Sequence, residues 1–142
     1  MENADVRRRV RAALEAARRE AGERRERSDA AAREYSVFLT ERAVPMFRQI
    51  AAVLSAEGRR FQVSTPADSV RLSAEGASDD FIELSLDGSQ DPPRVLGRSN
   101  HGRGRRSVSS ERPLRDGVAV ADLTEGDVLE FVATELVALM AR

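Results

Sequence analysis

Apolar residues recur along this chain with two different periods, and the change from one to the other divides it. Between Ala30 and Gly58 they step by three and four: Ala31, Tyr35, Phe38, Leu39, Met46, Phe47, Ile50, Val53 and Leu54. That is the pattern of a helix with one buried face, and Gly58 is placed to end it. Pro45 interrupts the run. A proline inside a helix removes a hydrogen bond and crowds the carbonyl four residues back. The sequence therefore predicts a kink or break near Arg42–Val44, with Pro45 in the first turn of a second helical piece.

Past Gly58 the period becomes two. Phe61 and Val63 alternate with polar neighbours, Thr65–Asp68 forms a turn, and Val70, Leu72 and Ala74 alternate again. A turn over Gly76–Asp79 leads to Phe81–Leu86, the strongest strand. Asp87–Pro93 connects it to a strand beginning at Arg94–Leu96, and Arg105–Glu111 is a weaker strand, paired back across Gly102–Gly104. Short runs at regular spacing favour an antiparallel meander over parallel units with crossover helices.

The last segment is helical again. Thr124 and Asp127 have the spacing of a capping box, with Leu123 and Val128 placed as its hydrophobic staple. Glu125, Asp127 and Glu130 suit the positive end of the helix dipole, and Arg142 the negative end. Val128, Leu129, Phe131, Val132, Leu136, Val137, Leu139 and Met140 are apolar around most of the circumference, so this helix needs covering on more than one side.

The fold class is therefore α+β. An antiparallel sheet of four or five strands is packed by the C-terminal helix and by a long N-terminal helical segment, broken or kinked near Pro45. Residues 1–34 read as a charged helical extension and residues 35–142 as a single domain. The extension pairs Glu15–Arg19, Glu20–Arg24 and Glu23–Arg27 at helical spacing but has only a thin stripe: Val6, Val10, Ala13 or Leu14, Ala17, Ala21. The stripe spans fewer heptads than a long coiled coil requires, and its lack of Trp, Phe or Ile argues against a membrane-surface helix.

Composition narrows the function classes. The 142 residues carry a net charge of −1, so no global field points to a polyanionic partner. All 23 cationic residues are Arg, a pattern that coding bias explains most simply. With no Cys, disulfides, thiolate metal sites and a cysteine nucleophile are excluded. No signal-like or membrane-spanning run is present, and a cytoplasmic setting is expected.

Charge is nonetheless segregated. Residues 68–91 hold seven acids and one Arg, whereas residues 94–115 hold seven Arg and one acid. Arg94, Arg98, His101, Arg103, Arg105 and Arg106, interspersed with glycines, make the hairpin 94–106 a candidate anion or nucleic-acid site. No aromatic is interleaved for base stacking, and no phosphate-loop fingerprint is present. The plain alternative is a solvated hairpin whose Arg residues answer acids of the same domain.

His101, the only histidine, is the sole candidate base for a small hydrolase or nuclease, but it has no sequence neighbour to complete a catalytic set. Asp79, Asp80, Glu83, Asp87 and Asp91 are acidic enough for a metal, yet they bracket turns and lack the Lys of a two-carboxylate nuclease. No catalytic residue, metal site or cofactor is assigned.

The reading that uses most of the pattern is a non-enzymatic protein-interaction module. It would bind a protein partner or itself, as a homodimer, through the N-terminal helices, with Val6, Val10, Leu14, Tyr35, Phe38 and Leu39 as candidate interface residues. It rests on one expectation: the helices carry more apolar surface than a single small sheet can shelter.

Overall fold

The computed structural model describes residues 1–76 and 79–141, apart from the side chain of Arg103. Helix α1 (Asn3–Phe38) runs into a five-residue π-helical turn (Leu39–Ala43) and on into α2 (Val44–Ala56). The break expected near Pro45 is a π turn, and the helical path is not interrupted. Val44 N–H reaches back five residues to Leu39 O, and Pro45 sits in the first turn of α2. Widening one turn accommodates the missing donor without severing the chain path. Arg59 N–H returns to Leu54 O at 2.8 Å to close α2.

Five strands follow: β1 (Phe61–Ser64), β2 (Val70–Ala74), β3 (Phe81–Asp87), β4 (Arg94–Arg103) and β5 (Arg106–Pro113). They form one antiparallel sheet in the order β1-β2-β3-β4-β5. The turn expected at Gly76–Asp79 lies partly outside the described residues. β4 is longer than its apolar start suggested. Pairing with β3 as far as Asn100 and with β5 as far as Arg103 carries the strand through Gly97–Arg103, so the connection expected at Gly102–Gly104 begins two residues later. Only Gly104 and Arg105 remain as the connection. Gly104 has φ +62°, the backbone that a two-residue hairpin turn demands at that point.

The period-two pattern sorts the sheet faces. Val70, Leu72, Ile82, Leu84 and Val95 point to the inner face, and all are buried. Leu72, Ile82 and Leu84 are fully enclosed, a stabilisation of about 1.5–3 kcal/mol each. After a single 3₁₀ turn at Val120–Asp122, helix α3 (Glu125–Met140) packs over that face beside α2. Thr124 and Asp127 form the capping box at its start, with bonds of 3.2 and 2.9 Å. Arg142 lies outside the described residues.

The core joins Phe38, Phe47 and Phe131 to the inner sheet face. Ala31 is the first buried residue of α1, and Met1–Ala21 is exposed throughout. The arm's root is tied down by Arg27, which holds Asp91 of the β3–β4 connection at 2.9 and 2.8 Å, and by Arg24 at 3.3 Å.

Candidate functional site

The strand geometry decides what the Arg-rich hairpin is. Arg94 and Arg98 lie on the outer face of β4, whereas His101 lies on the inner face. Arg94 pairs in register with Asp87 at one end of the strand, and Arg103 pairs with Arg106 at the other. Arg94 and Arg103 are the two ends of the ten-residue strand β4, nine steps and roughly 30 Å apart. The side chain of Arg103 lies outside the described residues. The six candidates thus occupy two faces and both ends of a strand, and they do not converge on one anion.

Several of the cations meet acids of their own domain. On the outer face, Glu83 accepts from Arg71 Nε at 2.6 Å and from Arg98 Nη2 at 3.2 Å. The register sets this up, because Arg71, Glu83 and Arg98 are cross-strand neighbours on β2, β3 and β4. Both guanidinium groups also lie over the Phe81 ring, 4.1 and 5.3 Å from its centre.

On the inner face, Glu135 of α3 accepts from Ser99 Oγ at 2.9 Å and from Arg112 Nε at 3.1 Å. Arg115 pairs with Asp127 at 3.2 Å. Among the described residues, Arg105 and Arg106 at the hairpin tip and Arg94 at its base have no such partner.

His101 is half-buried opposite Val108, and its Nε2 is buried with no hydrogen-bond partner among the described residues. Next to it, Gly102 N–H donates to Asp80 Oδ1 at 2.8 Å. No nucleophile lies in bonding range of that ring nitrogen among the described residues. The acids of residues 79–91 are likewise dispersed: Glu83 faces the outer sheet surface and Asp91 holds the α1 arginines. Among the described residues no group of three or more metal-ligating side chains comes together.

Of the two buried carboxylates that organise these ion pairs, Glu83 is weighed in the sequence only as one of several acids for a metal, and Glu135 is not singled out at all. Glu135 was discoverable, since it falls on the buried Val128–Val132–Glu135–Leu139 stripe, where a lone acid needs a partner. Glu83 would have followed from pairing Arg71 and Arg98 across β3.

The candidate interface residues divide into two groups. Tyr35 and Phe38 are buried within the chain's own core and are not open to a partner, whereas Leu39 is half-buried against that core and keeps part of its surface exposed. Tyr35 points inward because Ala31, Tyr35 and Phe38 share the buried helix face, and its hydroxyl donates to Asp68 O of the β1–β2 connection at 2.5 Å. Val6, Val10 and Leu14 remain, each about half exposed.

A second apolar surface lies between α2 and α3. Val53 (57 % exposed), Val137 (70 %), Leu129 and Met140 are uncovered. Met46, Ile50, Val53 and Leu54 face Leu129 and Leu136 across a cleft of about 330 Å³ in which Gln49 is the one polar lining residue. The helices are thus not fully sheltered by the sheet.

Fold and surfaces together define an α+β chain, a five-stranded meander covered by two helices, with a long helical arm. Among the described residues, no helix is long and apolar enough to cross a membrane. No protein-family model, no curated protein and no solved structure matches this chain.

Proposed function

We propose that this chain is a non-enzymatic protein-interaction module that self-associates through its N-terminal helices. The supporting observation is the arm. Val6, Val10 and Leu14 stand at i, i+4 and i+8 on a helix whose first residues, through Ala21, are exposed throughout. An apolar row of this kind on a helix clear of its own core is suited to a helical groove or to another helix.

Sedimentation equilibrium of the full chain at tens of micromolar tests the reading. A dimer is expected, weakened by Val10→Glu. A monodisperse monomer at that concentration removes the proposal.

A second reading, contact with a polyanion through the hairpin, has one favouring observation: Arg105 and Arg106 are exposed at the tip with no acid bound to them among the described residues. It predicts binding that falls with salt at a log–log slope of about −0.9 per phosphate contact. Arg105→Ala with Arg106→Ala should flatten that slope, and an unchanged slope excludes the tip.

A further inference from the structure

We infer that the arm of one copy seats in the α2–α3 cleft of a second copy, and reciprocally, so that each of the two uncovered apolar surfaces is the other's partner. This rests on the self-association reading and names the surfaces that carry it.

The lengths agree. Val6 precedes Ala31, the first buried residue, by 25 positions, about 37 Å of helix. Leu54, at the far end of the cleft, follows Ala31 by 23 positions, about 35 Å. The arm and α2 belong to one helical path from Asn3 to Ala56. A two-fold axis near Ala30 would therefore lay the arm of each copy antiparallel along α2 of the other. Val6 then comes level with Leu54, Val10 with Ile50 and Leu14 with Met46. Because the arm points away from its own body, it does not reach its own cleft.

The faces agree as well. Val6, Val10, Leu14, Ala17 and Ala21 step by three and four, and the same stepping continues through Ser28 to Ala31, Tyr35 and Phe38. The arm's stripe is the buried side of α1 carried beyond the body of the domain. Charge adds direction. Arg7, Arg11 and Arg18 each follow a stripe position by one residue and, with Glu15 after Leu14 as the one acid among them, leave that flank net positive.

On the other surface, α3 runs beside α2 in the same sense, since Leu139 and Met140 line the same recess as Gly58 and Arg59. Its exposed Glu125, one helical turn before Leu129 on the same side of α3, therefore lies at the Met46 end of the cleft. In the antiparallel arrangement this is the end at which Arg11 and Arg18 arrive. A closed, isologous pair of this kind satisfies both surfaces with no open end.

The test uses the full chain, which has no cysteine of its own. Val10→Asp and Val53→Asp change exposed side chains, and circular dichroism checks that each variant folds. Each should raise the dimer dissociation constant by at least about tenfold. Val6→Cys mixed with Val53→Cys should give an oxidative cross-link between the two variants, and neither alone should cross-link. A dimer weakened by Val10→Asp but not by Val53→Asp, or Val6→Cys cross-linking to itself, would show arm pairing with arm. That result overturns the cleft as receptor and leaves the proposed function standing. A wild-type monomer at tens of micromolar removes both.

Discussion

The ring of Phe131 occupies the space that a Cβ on residue 97 would need. An ideal Cβ built at Gly97 would lie 2.2 Å from the ring's tip, far inside contact distance. Gly97 is on the inner face of β4 between Val95 and Ser99, and its φ is not in the left-handed region. The glycine is therefore required by the close approach of α3 to the sheet, with no turn involved.

Gly97→Ala should accordingly destabilise through overpacking, by about 1–3 kcal/mol. For a chain of this size that lowers the melting temperature by roughly 2–4 °C per kcal/mol. Shortening the opposing side chain tests the cause. Gly97→Ala combined with Phe131→Leu should lose less than the sum of the single changes, because the two sites share one volume. Strict additivity in thermal unfolding would mean that the two residues do not compete for space.

A second constraint on the same interface is polar. Glu135 is buried, and its carboxylate is satisfied by Ser99, itself in contact with Ser110 at 3.0 Å, and by Arg112. Arg112 also covers the Phe131 ring at 4.4 Å. Glu135→Ala should cost about 1–3 kcal/mol, since it leaves a cavity and a buried hydroxyl with one partner fewer. Arg112→Ala should cost more than loss of an ordinary surface pair, because it leaves a buried carboxylate short of its cation. Denaturant midpoints for the two single variants and the double variant measure the coupling. A coupling near zero would reduce Arg112 to a solvated side chain.

Regular elements were legible from the chain where a single period persisted. The alternations at Phe61–Val63, Val70–Ala74 and Phe81–Leu86 locate β1, β2 and β3, and the capping box locates the start of α3. β4 was harder to read because its central positions serve neighbours distant in sequence. Gly97 is small for Phe131, Ser99 is polar for Glu135, and Arg98 is charged for Glu83. Read locally, Gly, Arg, Ser and Asn resemble a loop. Read across the interface, each is a strand residue with an assigned contact. Tyr35 and Phe38 fit both a buried face and an interface in the sequence: a helical stripe does not reveal what covers it, and only burial separates the core part of α1 from the arm.

Tyr35 supplies a spectroscopic reading of this boundary. It is the only tyrosine, so absorbance near 295 nm reports it alone. Burial, followed by the charges of Asp68 and Glu83, pushes its phenol well above the ordinary value. A raised acid of this kind contributes stability in full below the unfolded-state value of about 10, and that stability is lost as pH rises beyond it. Tyrosinate should therefore appear together with loss of helix signal, and not before it. Tyr35→Phe should remove the titration at a cost of about 0.5–1.5 kcal/mol, the worth of one hydrogen bond. Ionisation near pH 10 with the fold intact would contradict the placement of Tyr35.

At the other end of the pH scale, the root of the arm should respond to acid. The bidentate hydrogen bond from Arg27 holds the Asp91 carboxyl below its ordinary range, with the charges of Arg27 and Arg24 adding to it. A depressed carboxyl favours the fold above its unfolded-state value, and that contribution disappears as pH falls through the folded-state value. The pair is exposed, so salt should weaken it and global melting should barely register it. Its effect should instead be local. Asp91→Asn at neutral pH should speed amide exchange around Ser28 and in the β3–β4 connection, and should match the wild type at low pH. If exchange around Ser28 is the same in wild type and variant at neutral pH, the arm is held by its core contacts from Ala31 onward and not by this ion pair.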